Sequence, residues 1–149
     1  MRRRTFFPLL GGAATAWPLR TFAQQPGAVK RIAYIHPAFA SPVVLKYRDT
    51  WLKTLTALGW SEGRTVAIDY RWGEGNAQRL RQLVAQAVAD KVDLLVAIGP
   101  AAFTARDATN TSPIVALSLE IDPVADGLVQ SLARPGGNIT GVLDRKSVV

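Results

Sequence analysis

Val92–Ala108, VDLLVAIGPAAFTARDA, is the stretch that decides the fold. Leu94–Ile98 is a continuous apolar run too short for a helix, and it breaks at Gly99-Pro100 before a helical pattern resumes at Ala101. A run without a polar side suits a strand whose two faces are both covered by helices. Strand, glycine turn and helix make half of a βαβ unit. The turn falls at the carboxyl end of the strand, where open α/β sheets hold their ligands. This turn and two sister turns are therefore expected to form half of a small-molecule pocket.

The pattern repeats on either side of that stretch. Arg31–His36, RIAYIH, reads as a first strand. A loop with two prolines leads to a helix over Val43–Leu58, where Val44, Tyr47, Trp51, Leu55 and Leu58 form an apolar stripe and Lys46, Arg48, Asp49 and Lys53 should be solvated. Gly59 is the expected stop. Thr65–Trp72 alternates apolar and polar residues, as an edge strand does. Gly73–Asn76 turns the chain into a helix over Ala77–Asp90, with Leu80, Leu83, Val84, Ala87 and Val88 on its inner stripe.

Downstream, Ile114–Leu117 reads as a fourth strand and Ile139–Val142 as a fifth. Between them, Asp122-Pro123 has the form of a helix start, with Asp as cap and Pro at the first helical position, so a helix over Val124–Leu132 is expected. Strands alternating with helices predict an α/β fold with a doubly wound parallel sheet. Right-handed crossovers leave few orders. The flavodoxin-like order 2-1-3-4-5 places the alternating strand at an edge and the continuous one inside.

Four of the 18 Lys and Arg residues (Arg2, Arg3, Arg4 and Arg20) lie before residue 24, so the formal charge of +7 falls to +3 over the remainder, with 14 basic against 11 acidic side chains. No basic stripe with interleaved aromatics stands in that remainder, which removes the electrostatic footprint of nucleic-acid binding. With no Cys, disulfides, thiolate metal sites and a lipid-anchored export signal are excluded.

Residues 1–23 have the three parts of an export signal: a basic start, an apolar run over Phe6–Trp17, and small residues flanking Phe22. Arg3, Arg4, Phe6 and Phe7 match the twin-arginine pattern, the address of a route that exports folded proteins. The apolar run falls short of the ~20 residues of a spanning helix. Residues 24–30 form a lead-in, and residues 31–142 form one lobe.

Three segments, Met1–Leu19, Leu58–Gly75 (LGWSEGRTVAIDYRWGEG) and Ser131–Val142 (SLARPGGNITGV), together resemble one family. It is the substrate-binding proteins of ABC transporters, in the periplasmic-binding-fold group related to tryptophan and tyrosine uptake proteins. The resemblance implies two α/β lobes hinged over one small organic solute, an amino acid or related carboxylate. It also implies delivery to an inner-membrane ABC permease, passage through the export machinery, a periplasmic location of the Gram-negative type, no cofactor and no catalytic residue. The chain is about half as long as two lobes require. Residues 143–149, LDRKSVV, fall outside the resemblance. They can be written in codons that match a common sequencing adapter, so this tail is expected to be foreign to the gene.

Three turns are expected to gather at the carboxyl rim of the sheet. The first contributes His36, Phe39 and Ser41, the second Gly99, Pro100, Ala101 and Ala102, and the third Ser118 and Glu120. Helices beginning there present free N–H groups to a carboxylate. Phe39 could stack on a flat ligand. Ser41 has an alternative as a helix cap, and His36, the lone histidine, as a loop hydrogen-bonder. Glu120-x-Asp122 is too little for a metal site, and Asp122 reads better as a cap. Gly73-Glu74-Gly75 lacks the Lys-Ser/Thr ending of a phosphate loop. An enzyme on the same fold, such as a racemase or hydrolase, and the ligand-sensing domain of a membrane signalling protein remain open alternatives, since fold does not fix function.

Overall fold

The structure is a computed structural model that describes residues 28–143. The export signal, most of the lead-in and residues 144–149 of the tail lie outside the described residues.

Eight elements follow in order: β1 (Lys30–His36), α1 (Pro42–Ala57), β2 (Val66–Trp72), α2 (Ala77–Ala89), β3 (Leu94–Ile98), α3 (Ala101–Ala108), β4 (Ile114–Leu119) and β5 (Ile139–Leu143). The strands form one sheet in the order β2-β1-β3-β4-β5, and every pair is parallel. This is the doubly wound α/β arrangement the alternating pattern predicts. All five strands therefore point their carboxyl ends at one rim.

The two faces of the sheet are covered unequally. On one face, Ala33, Ile35, Leu95, Ala97, Ile114 and Ala116 pack against Leu80, Val84 and Ala87 of α2 and Ala101, Ala102 and Ala105 of α3. Nearly all of these are sealed from solvent. The small side chains on the inner side of α3 let that helix sit close to the sheet, and burying each larger aliphatic contributes roughly 1.5–3 kcal/mol. Arg71, on the same side, ties the edge strand to α2. It donates to the Leu83 carbonyl at 2.8 Å and pairs with Asp69 and Asp90.

The opposite face carries Ile32, Tyr34, Val66 and Val96 under α1. Here α1 contributes Trp51 to the packing but buries none of its residues fully. Its expected inward stripe is only partly inward: Val44, Trp51 and Leu55 are half-buried, whereas Tyr47 and Leu58 are 72% and 71% exposed. No second helix lies beside α1 among the described residues, so the flank that Tyr47 occupies has nothing to pack on. Leu58 falls past the last helical turn, as the capping residue. Arg48, expected in water, instead lies over the Tyr70 ring at 5.2 Å, a cation–π contact that half-buries it.

Two further expectations are corrected. Val124–Leu132 is not a helix. Asp122 does cap a turn, accepting from the Val124 and Ala125 N–H groups at 2.9 and 3.1 Å. The turn then ends at Gly127, whose φ of +67° leaves the helical region. The fourth strand also runs on to Leu119 through an irregularity between Ala116 and Leu119, so Ser118 lies within the strand and not in the turn after it. Asn138 leads into β5, its side-chain amide donating to the carbonyls of Thr109 and Ser112 at 3.2 and 2.7 Å.

Candidate functional site: a cleft at the carboxyl rim

The three expected turns do meet at one rim, because the strands that feed them are parallel. A cavity of about 1040 Å³ opens there, between α1 and the strand ends. Of the candidates read from the sequence, His36, Gly99, Pro100, Ser118 and Glu120 line it. Four do not. Ala101 and Ala102 are fully buried in the core beneath α3. Ser41 caps α1, accepting from the Val44 N–H at 3.4 Å. Phe39 projects outward, 61% exposed. The walls also hold aromatic residues that the turn-by-turn reading passed over: Tyr34 from β1, Tyr47 and Trp51 from α1, and Phe103 from α3. Their signal was present, since Tyr34 shares a strand face with His36, and Tyr47 and Trp51 lie on one helical stripe.

The start of α3 sets the electrostatics of the lip. Asn76 caps α2, accepting from the Gln78 and Arg79 N–H groups at 2.9 and 3.0 Å, and Ser41 caps α1. No side chain caps α3, whose Ala102 N–H donates to the Gly99 carbonyl at 3.0 Å and whose start reaches the cavity wall through Pro100 and Phe103. The positive end of its dipole lies at that wall. Two left-handed residues shape the adjoining edge. Gly99 has φ +52°, and its N–H donates to the Leu117 carbonyl at 2.8 Å. Ser118 also has φ +52°, a conformation that costs a side-chain-bearing residue roughly 1–3 kcal/mol and that clusters at ligand sites.

The first turn is held from behind by the turn after β2. The N–H groups of Gly73, Glu74 and Gly75 donate to the carbonyls of His36, Pro37 and Ala38: Gly73 to His36 at 2.7 Å, Gly75 to Pro37 at 2.8 Å and Glu74 to Ala38 at 3.4 Å. A Cβ on Gly73 would come within 2.8 Å of the Pro37 carbonyl oxygen. Gly73-Glu74-Gly75, which fails as a phosphate loop, is a clip that fixes one wall of the cleft.

His36 Nδ1 accepts from the Ala38 N–H at 3.1 Å, which places the proton of the neutral ring on Nε2. Its ring packs 5.5 Å from that of Trp72. Burial lowers the His36 pKa below its ordinary value. The folded chain thus holds its proton less tightly than the unfolded chain, and the stability associated with neutral His36 is present above about pH 6.5 and is lost as pH falls through the folded value. Thermal melts between pH 7 and pH 5 are expected to show a falling melting temperature, with a smaller fall in His36→Gln. Equal slopes for the two proteins would assign the effect elsewhere.

Among the described residues no helix is long and apolar enough to cross a membrane, and no cluster of three or more His, Cys, Asp or Glu could hold a metal ion.

A parallel sheet with a clipped, aromatic-walled rim gives this α/β lobe a candidate ligand cleft. This chain belongs to the ABC transporter substrate binding protein family, whose profile matches residues 35–149. It is 34% identical over 108 residues to a protein named "Tyrosine-binding protein" from Clostridioides difficile (strain R20291), covering 72% of this chain and 31% of that one. The ligand-free, open structure of a substrate binding protein with adhesive properties from Clostridium difficile superposes with a TM-score of 0.71 at 32% identity, over 78% of this chain and 39% of the other. A Streptococcus pneumoniae ABC domain in complex with L-Trp gives a TM-score of 0.70 at 30% identity, with the same two coverages, 78% and 39%. The chain spans about a third of the length of these relatives.

Proposed function

We propose that this chain is one lobe of the solute-binding component of an ABC importer. In this reading it captures an amino acid or related carboxylate between two lobes and delivers it to an inner-membrane permease. The observation that carries the proposal is the uncapped start of α3 on the wall of an aromatic-lined cavity. A carboxylate there would lie at the positive end of the α3 dipole, beside Gly99, Pro100 and Phe103 of the cavity wall. The names of the tyrosine-binding relative and the L-Trp complex favour an amino acid as the solute. His36, Gly99, Pro100, Ser118 and Glu120 would line this half of the site, and a second lobe would close over it by hinge motion.

Thermal-shift measurements with amino acids, organic acids and sugars test this reading on the protein as its gene expresses it. A ligand held by the native state alone, at a hundred times its Kd, stabilises by about 2.7 kcal/mol. Aromatic amino acids are expected to raise the melting temperature. A rise with sugars and none with carboxylates would refute the proposal. Residues 1–149 alone are expected to bind weakly, because half of the contacts would be missing.

The location follows from the same reading. The Arg3-Arg4 motif would send the folded protein to the periplasm through the twin-arginine route. A reporter fused behind residues 1–27 is expected to be exported, and Arg3→Lys with Arg4→Lys to block that export. Export unchanged in the double variant would point to the general secretory route.

A further inference from the structure

Tyr34 lines the cleft yet is only 4% exposed. Its ring is wedged among three others, with centroids 5.2 Å from Trp51, 5.7 Å from Tyr70 and 6.2 Å from Trp72. A phenol buried to this degree ordinarily finds a hydrogen-bond partner. Among the described residues nothing bonds the Tyr34 hydroxyl, and no sealed side-chain oxygen is left unpaired. The oxygen therefore opens onto the cavity. The hydroxyls of Thr50 and Thr54, on the same wall, are already committed to the carbonyls of Lys46 and Thr50 at 2.9 and 3.0 Å.

Tyr34 lies two residues before His36 on the same strand face, which places it about 7 Å deeper from the rim. The cleft thus has a polar lip at the start of α3, an apolar and aromatic wall, and one uncommitted hydroxyl at depth. We propose that Tyr34 is a specificity-determining residue whose hydroxyl bonds a polar group at the far end of the solute. This inference rests on the reading of the cavity as the solute cleft. It narrows the solute to one with a carboxylate at one end, a flat or apolar body, and a hydrogen-bonding tip. Packing against three aromatic rings holds the Tyr34 ring in place before binding, so little order is lost when the bond forms. Burial raises the phenol pKa, so the hydroxyl stays protonated at neutral pH and serves as both donor and acceptor.

The test is isothermal titration of the protein as its gene expresses it with L-tyrosine, L-tryptophan and L-phenylalanine, for wild type and Tyr34→Phe. Wild type is expected to bind a probe with a polar tip more tightly than L-phenylalanine. Y34F should weaken that probe by ~3- to 10-fold, the worth of one neutral hydrogen bond, and leave L-phenylalanine within about twofold. Equal losses for all probes, or none, would overturn the assignment of Tyr34 while leaving the cleft intact. Wild type alone decides the matter if Y34F fails to fold: L-phenylalanine bound as tightly as both polar probes removes the role. No binding of any amino or organic acid by wild type would bring down the cleft reading and this inference together.

Discussion

In a Gly73→Ala variant, solute affinity is expected to fall at least about tenfold while the fold survives. The new methyl would meet the Pro37 carbonyl oxygen at 2.8 Å, the Pro37 Cα at 3.2 Å and the His36 carbonyl oxygen at 3.3 Å. All three atoms belong to backbone, so no side-chain rotation relieves the overlap. Either the strain stays, at roughly 1–3 kcal/mol, or the loop after β1 moves away. Movement breaks the bonds from Gly73, Glu74 and Gly75 and shifts His36 and Pro37, which line the cleft. About 1.4 kcal/mol lost from binding is a factor of ten in Kd. Isothermal titration beside a thermal melt separates the two costs. Full affinity in the variant would mean that the clip does not hold the binding wall.

The largest loss of stability is expected from Leu95→Ala. Leu95 is fully buried on the central strand, paired with Ala33 on one side and Ile114 on the other, beneath α2 and α3. Neighbours on both sides are held by the sheet ladder, so the hole cannot collapse. Such truncations cost about 2–5 kcal/mol, and a domain has only about 5–15 kcal/mol in all. Leu132, 66% exposed, is the matched control, and its truncation should change stability by less than about 0.5 kcal/mol. Urea unfolding of both variants checks the contrast. Similar midpoints would place Leu95 outside the cooperative core.

The sheet was legible because its strands differ in kind. Leu94–Ile98 has no polar side and lies inside, whereas Val66–Trp72 alternates and lies at the edge, with Asp69 and Arg71 turned to one face and Ile68, Tyr70 and Trp72 to the other. Short-range chemistry was legible too, as with the Asp122 cap. What failed needed more than local pattern. A helix after Asp122 was expected from its start signal alone, but Gly127, five residues on, ends the turn. Ala101 and Ala102 were read with the turn after β3, and their side chains pack on the sheet beneath α3, a contact the turn alone does not reveal. Ser118 gave no sign of its left-handed backbone, which falls within the irregular pairing of β4 with β5. The aromatic lining was missed because, although each face carried its own signal, the cavity joins a strand to a helix, a contact that no reading of single turns supplies.

The unequal cover on the two faces of the sheet gives the cleft one stiff wall and one compliant wall. The strands and the start of α3 are backed by the sealed layer under α2 and α3, and their amides should exchange with solvent only when the whole domain opens. Helix α1, with no fully buried residue, can loosen by itself and carry Tyr47 and Trp51 with it. A solute seated against both would quiet α1 most, so the imprint of binding should be read in the exchange rates of that helix more than in any change of the strands.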